Sequence, residues 1–211
     1  MGFQRARTEE QIASRQEEII NICDAIYCEK GYEAVHFKAV SRMTSISRPT
    51  IYNYYNTKEE IFLDIIKRDF EKWTEELKAH FDTTPQMKKE EFCAFLADSL
   101  VKHKKYLELL AVYIQPIEKN SSLERLIAFK EATQPFSRAF LAGLDKNFPD
   151  AKNEDKKKFY FHFQAVVHGL YQLTHLSKKQ EQALKKANPE YQVPDFHQAF
   201  FNILLLLIAN L

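Results

Sequence analysis

Apolar positions recur at helical spacing from near the start of the chain. Ile19, Ile22, Cys23, Ile26 and Tyr27 follow a three-to-four-residue repeat, while Glu17, Glu18, Asn21 and Asp24 fall on the opposite side. This pattern predicts an amphipathic helix over about residues 12–30. Gly31 then suits a left-handed C-terminal cap. A short helical segment follows, Phe37 to Thr44, and after Ser45-Ile46-Ser47 comes a second one, with Ser47 as its cap and Pro49 in its first turn. Two short helices across a three-residue turn make a helix-turn-helix, placed at about residues 36–55.

From Thr57 the stripe lengthens. Thr57 and Glu60 form a capping-box pair, and Phe62, Ile66, Phe70, Trp73 and Leu77 continue one face to about Phe81. Further helices are predicted at about 86–102, 104–115, 122–147, 153–176 and 195–210. Pro116, Pro149, Pro189 and Pro194 fall between these helices or just outside them, whereas Pro135 falls inside one and predicts a kink. Residues 177–194, carrying Lys178, Lys179, Lys185 and Lys186, read as a solvated, partly helical connection. No stretch alternates as a strand would, so the fold class is all α. The expected organisation is an N-terminal three-helix domain, residues 1–56, joined by the long helix to a C-terminal helical domain, residues 57–211.

Composition narrows the chemistry. The net charge is +1, so any attraction to nucleic acid must be local. Four scattered glycines provide no phosphate-cradling loop, and neither a metal nor a cofactor is implied. Cys23, Cys28 and Cys93 make no even disulfide set and no CxxC pair, which reads as reduced thiols in the cytoplasm. The N-terminus lacks a signal-peptide stretch, and the longest apolar run, Ile203 to Ala209, is far short of the roughly 20 residues a bilayer needs. A soluble protein without a membrane partner is expected.

Charge is arranged unevenly within the first 60 residues. Between His36 and Lys58 the charged side chains are Lys38, Arg42, Arg48 and Lys58, with no carboxylate among them. Phosphate contacts require such cations and helix N-termini, whereas reading base edges requires side chains projecting from the second helix. Arg48, Thr50, Tyr52, Asn53 and Tyr54 supply both kinds. A solvated surface or a protein-docking patch would share these features, and Arg5 and Arg7 suit either a disordered tail or an arm on DNA.

The string from Gly31 to Phe62 closely resembles the DNA-binding domain of the tetracycline-repressor (TetR) family. The matching features are Gly31-Tyr32 after the first helix, the turn Ser45-Ile46-Ser47, the ending Tyr52-Asn53-Tyr54-Tyr55, and Lys58-Glu59 opening the long helix. By position, the resemblance assigns DNA contacts to Lys38, Arg42, Ser47, Arg48, Pro49, Thr50, Tyr52, Asn53, Tyr54 and Lys58, and a head core to Val40, Ile46, Ile51 and Tyr55. Two departures stand out. Ser45 replaces the frequent glycine, with strain expected if it is left-handed; His36 replaces the usual Ser or Thr before the second helix, which weakens that cap.

The resemblance also bears on the aromatic-rich C-terminal helices, whose stripes would otherwise read as ordinary core. It implies an effector cavity, with His103, Tyr106, Leu110, Tyr113, Phe129, Thr133, Phe136, Phe163, Val167 and Tyr171 as candidate ligand contacts, suited to an apolar or aromatic molecule. It further implies a homodimer through the last two helices, with Phe159, Val166, Leu170, Phe200, Phe201, Leu204, Leu205 and Ile208 at the interface. Two heads would then meet half-sites about 34 Å apart, or a multiple of that, on double-stranded operator DNA. An enzyme is not expected: His168 and His175 share a face but lie about 10 Å apart, His162 is off that face, and no HExxH or GxSxG string occurs. The expected function is a repressor released by a small molecule. The alternatives are an activator, a ligand-independent regulator, and a helical module without DNA binding.

Overall fold

The structure, a computed structural model, describes residues 8–209 and 211; Arg5 and Arg7 lie outside them. Among the described residues it is helical throughout, without strands. The order is α1 (Glu9–Lys30), a 3-10 turn (Tyr32–Ala34), α2 (Phe37–Met43), α3 (Arg48–Ile51), α4 (Lys58–Thr83) and α5 (Lys89–Lys102). Then come α6 (Lys104–Glu108), a π turn (Leu109–Tyr113), α7 (Ile114–Lys119), α8 (Leu123–Asn147), α9 (Asn153–Thr174), α10 (Lys178–Ala187) and α11 (Phe196–Ile208). Two compact units emerge. One comprises the described residues through Arg68 together with Gln115–Ala132; the other comprises Asp69–Ile114 and the described residues from Thr133 onward. The dividing lines between these units fall within α4 and α8, and the head's unit takes in a stretch of chain from far downstream.

The first unit is built on α1. Thr8 caps it by accepting from the Gln11 amide. Gly31 ends it at φ 81°, ψ 175°, donating its N–H to the Tyr27 carbonyl at 2.8 Å. The positive φ was expected, but this ψ places Gly31 in a region open essentially to glycine alone rather than in the left-handed helical one. Ile19, Cys23, Ile26, Tyr27, Val40, Ile46, Ile51, Tyr55, Ile61 and Phe62 pack into one core, each at most 5% exposed. Arg68 ties α4 to α1 by donating to Asn21 at 2.6 Å, Asp24 at 2.8 Å and Glu17 at 3.2 Å.

The second unit centres on Trp73, whose indole N–H donates to the buried Ser99 hydroxyl at 2.7 Å. Phe136 lies 4.5 Å from its ring and Tyr106 5.5 Å, while Phe70 stands edge-on to both, at 4.5 Å from Tyr106 and 5.0 Å from Phe136. The cluster continues through Phe140, Phe163 and Phe200. Cys93 is buried here, as Cys23 is in the first unit; burial pushes both thiols up to about 12, so neither is a thiolate at neutral pH.

Several expectations need correcting. The segment expected as one helix near 104–115 is α6, a π turn and α7, and Pro116 lies inside α7 rather than outside a helix. Having no N–H, Pro116 breaks the regular ladder, and the helix is widened directly upstream of it. Residues 178–187 form a full helix with a Ser177–Gln180 capping box, although none of its residues is buried. Phe159, Leu170, Phe200, Leu204 and Ile208, expected to face a partner, are instead buried in the protomer's own core, where α11 packs on α5 and α9. The helical period leaves the outer face of these helices to Phe161, Ala165, Gly169, Leu173 and Leu206, all exposed, with Val166, Phe201 and Leu205 half-buried.

Gly31 yields a direct test. No heavy atom lies within 4 Å of a Cβ built there, so the cost of Gly31→Ala is backbone strain alone, about 1–3 kcal/mol. Urea unfolding should show that loss with an unchanged m-value; a loss below about 0.5 kcal/mol would contradict the assignment.

Candidate nucleic-acid interface

Helix α3 is only four residues long and carries little helical stability of its own. It is set in place from its ends and from beneath. At its start the Ser47 hydroxyl accepts from the Thr50 amide and lies 2.8 Å from the Thr50 hydroxyl, with Pro49 in the first turn. Beneath it Ile51 is fully buried. Helix α2 starts on His36, whose Nδ1 accepts from the Ala39 amide at 3.0 Å. The expected weak cap is therefore an intact one, because an imidazole nitrogen can do the work of a hydroxyl. No described residue other than glycine has a positive φ, so Ser45 is not left-handed and carries no such strain. Instead its amide donates to Glu18 of α1 at 2.9 Å and its hydroxyl donates at 3.2 Å.

The outward side of this arrangement carries the candidate contacts. Lys38 and Arg42, one turn apart on α2, are exposed, as are Ser47, Arg48, Pro49, Tyr52 and Asn53; Thr50 and Tyr54 are half-buried. Tyr52 rests its ring edge-on against Phe37 at 4.8 Å and is 48% exposed. Arg48 donates to the Tyr52 hydroxyl at 3.3 Å, so these two side chains orient one another. Lys58 differs from the rest. Its ammonium lies 4.0 Å over the Tyr32 ring, donates to the Tyr32 carbonyl at 3.2 Å and sits 3.7 Å from Glu33. Contact with a phosphate would require it to leave these partners.

The underside holds residues that sequence reading missed. Thr57 caps α4 by accepting from the Glu60 amide at 3.3 Å, as the capping pair predicts. The Glu60 carboxylate, however, does not return to Thr57. It accepts from the Asn56 amide at 2.8 Å and from the Ser122 amide at 3.2 Å, just ahead of α8. Thr57 also donates its hydroxyl to the Asn120 carbonyl at 3.1 Å. On its own, burial would raise the Glu60 pKa; hydrogen bonds from Asn56 and Ser122 outweigh it and hold the carboxyl below its ordinary value. Nearby, the Arg125 guanidinium donates to the Tyr54 carbonyl at 2.6 Å and lies 4.9 Å from the centre of the Tyr55 ring. Tyr55 donates to Asp64 at 2.8 Å. Burial, then the Asp64 carboxylate, push this phenol well above its ordinary value, so it remains a neutral donor.

These features, an exposed cationic α2–α3 face on a tightly framed head, match known proteins. Residues 25–65 match the family model described as bacterial regulatory proteins, tetR family, and residues 67–209 match the tetracyclin repressor-like C-terminal domain. The chain belongs to the TetR family of DNA-binding transcriptional regulators. Among curated proteins, the HTH-type transcriptional regulator QacR of Staphylococcus aureus is 25% identical over 63 residues, covering 30% of this chain and 34% of QacR. The match thus spans about a third of that relative. Among solved structures, FadR from Bacillus subtilis in complex with stearoyl-CoA shares the fold at TM-score 0.56 and 15% identity, covering 92% of this chain and 98% of that one. FadR from Bacillus halodurans shares it at TM-score 0.53 and 14% identity, covering 90% and 97%.

Within this TetR-family chain the candidate ligand contacts do not converge on one site. Tyr106, Phe136, Phe163 and Val167 are buried in the second unit, the first three in the packed ring cluster, and Leu110 is buried nearby. His103 pairs with Glu76 at 3.1 Å and lies 5.3 Å from the Trp73 ring. Phe129 is buried in the first unit, and Thr133 is half-buried where the second resumes. Only Tyr113 and Tyr171 reach an open groove of about 940 Å³, which Lys104, Glu108, Val112, Gln172, His175 and Gln180 also line. His175 stacks on Tyr171 at 3.9 Å. Burial, helped by Lys104, holds His175 below its ordinary pKa. The π turn borders the same groove, where Gln172 donates to the Ala111 carbonyl at 2.6 Å. Among the described residues no cluster of His, Cys, Asp or Glu could hold a metal, and no helix is long and apolar enough to cross a membrane.

The Glu60 clamp makes a pH-dependent prediction. Because its folded pKa lies below the ordinary 4.5, its stabilisation is complete above that value and is lost as pH falls through the folded value. Glu60→Gln should therefore cost about 1–3 kcal/mol at pH 7, and the deficit should shrink in unfolding measurements below about pH 4. A deficit that is the same at both pH values would exclude an ionised clamp.

Proposed function

We propose that the chain is a cytoplasmic repressor that occupies a palindromic operator as a two-fold homodimer and is released by an apolar or aromatic small molecule. The observation that carries this reading is the uncovered apolar face on α9 and α11, where Phe161 is 67% exposed, Leu173 65% and Leu206 76%. Large apolar side chains left exposed along these two helices suit an association surface. A second copy meeting it about a two-fold axis would pair two α3 helices for two half-sites. Lys38, Arg42, Ser47, Arg48, Pro49, Thr50, Tyr52, Asn53 and Tyr54 then contact DNA, with Lys58 joining once it leaves Tyr32.

For the effector, support comes from the groove between the π turn, the end of α9 and α10. Tyr113, Tyr171, Val112 and Leu176 offer an aromatic and aliphatic floor, and Lys104, Glu108 and Gln180 offer polar ends. The stearoyl-CoA complex of the FadR neighbour supports a small-molecule ligand in this fold. Release requires the effector to prefer the conformation that binds DNA less well. In this reading the shift travels along α4 and changes the emission of the buried Trp73.

The test is titration of the protein against the DNA immediately upstream of its own gene, with salt varied and unrelated DNA as competitor. A competitor-resistant complex that weakens steeply with salt, together with footprints on two symmetric half-sites, is expected. Phe161→Glu with Leu206→Glu should sediment as a monomer and bind that DNA about a hundredfold less tightly, having lost the tethered second head. A double variant that remains dimeric with unchanged affinity would refute the proposed interface.

A further inference from the structure

We infer that Arg125, in the first turn of α8, is a positioning residue for DNA reading: without facing DNA, it sets the direction of α3 by gripping the turn that follows it. Three contacts converge on one guanidinium. It donates to the Tyr54 carbonyl at 2.6 Å, lies 4.9 Å from the centre of the Tyr55 ring, and approaches the Asp64 carboxylate at 3.6 Å. Asp64 in turn accepts from Tyr55 at 2.8 Å, which closes the set.

The need for such a grip follows from the shortness of α3. Its last carbonyls depend on the turn that follows: Asn53 donates to Thr50 at 3.1 Å, and Tyr54 and Tyr55 donate to Ile51 at 2.9 and 3.1 Å, so the seating of Tyr52–Tyr55 sets how α3 ends. A charge-assisted bond is about twice as strong as a neutral one, and a planar guanidinium can bond in its plane while stacking on its face. Arg125 does both, so it fixes where Tyr54 sits and how Tyr55 is turned. Tyr52 and Asn53, which face outward, sit on that same turn. The grip also makes α8 part of the reading apparatus, since 115–132 belongs to the same compact unit as the head. Building on the proposed release by effector, this names a second route to α3, through α8 rather than along α4 alone.

The experiment uses the full-length protein and a duplex selected by the wild-type chain from a random pool, with a scrambled duplex for comparison. Arg125→Ala should bind the selected duplex about tenfold less tightly, the equivalent of one charge-assisted hydrogen bond. Its affinity for the scrambled duplex and its salt dependence should stay as in wild type. Arg48→Ala, which removes a DNA-facing cation, should instead reduce the salt slope by about one. Arg125→Lys keeps the charge but loses the planar stack, and should fall between alanine and wild type; it serves as the test if the alanine variant fails to fold.

Selected-duplex binding within twofold of wild type in both variants would overturn the inference. A salt slope lowered by about one in Arg125→Ala would also overturn it, by making Arg125 a phosphate contact. An equal loss on both duplexes with reduced helicity would mean a merely structural role. If the pool yields no preferred duplex, sequence-specific reading itself fails, an outcome distinct from the loss of Arg125's role.

Discussion

A four-residue helix cannot set its own direction, and the head meets that constraint by tying the turn after α3 to the corner between α7 and α8. The buried Glu60 carboxylate is the centre of the tie, accepting from Asn56 on one side and from Ser122 on the other. Glu60 is buried, so a carboxylate there needs both donors to offset its lost hydration. Thr57 and Arg125 add their own bonds across the same seam. The exposed residues of α2 and α3 owe their common orientation to this underside as much as to their own sequence.

The division of the chain follows from it. Local pattern puts a boundary near residue 56, where the helix-turn-helix ends and the long helix begins. The compact units divide at Arg68 and bring 115–132 into the head. Hydrogen bonds that span 62 residues, such as that from Ser122 to Glu60, leave no trace in periodicity. Thus α4 and α8 each contribute residues to both units.

What could be read in advance was local. The stripe of α1, the Ser47 cap, the Thr57–Glu60 pair and the buried Val40, Ile46, Ile51 and Tyr55 all depend on neighbours within a few residues. Chemistry misled at His36, where a weakened cap was expected and a ring nitrogen accepts the Ala39 amide as a hydroxyl would. Uniform apolarity misled elsewhere. Leu109–Tyr113 is apolar or aromatic throughout, so no stripe distinguishes a π turn from an α-helix, and α11 is apolar on nearly every side, so its inward face could not be told from its outward one. The aromatic residues chosen as ligand contacts had a third difficulty. A ring stripe has the same spacing whether it lines a cavity or fills a core, and around Trp73 it fills a core. Helix α10 lacked a stripe because none of its residues is buried.

A head framed by distant residues, an uncovered apolar face and a groove beside a widened helical turn are the features on which the proposed two-headed, effector-released regulator rests. Its central physical claim is that the head and the α7–α8 corner fold and move as one body. Native-state hydrogen exchange of the Asn56 and Ser122 amides tests this most directly. If the clamp unites them, both amides should exchange with the same opening free energy as Ile61 and Phe62 in the head core. Rapid, independent exchange at Ser122 while Ile61 and Phe62 stay protected would contradict the account.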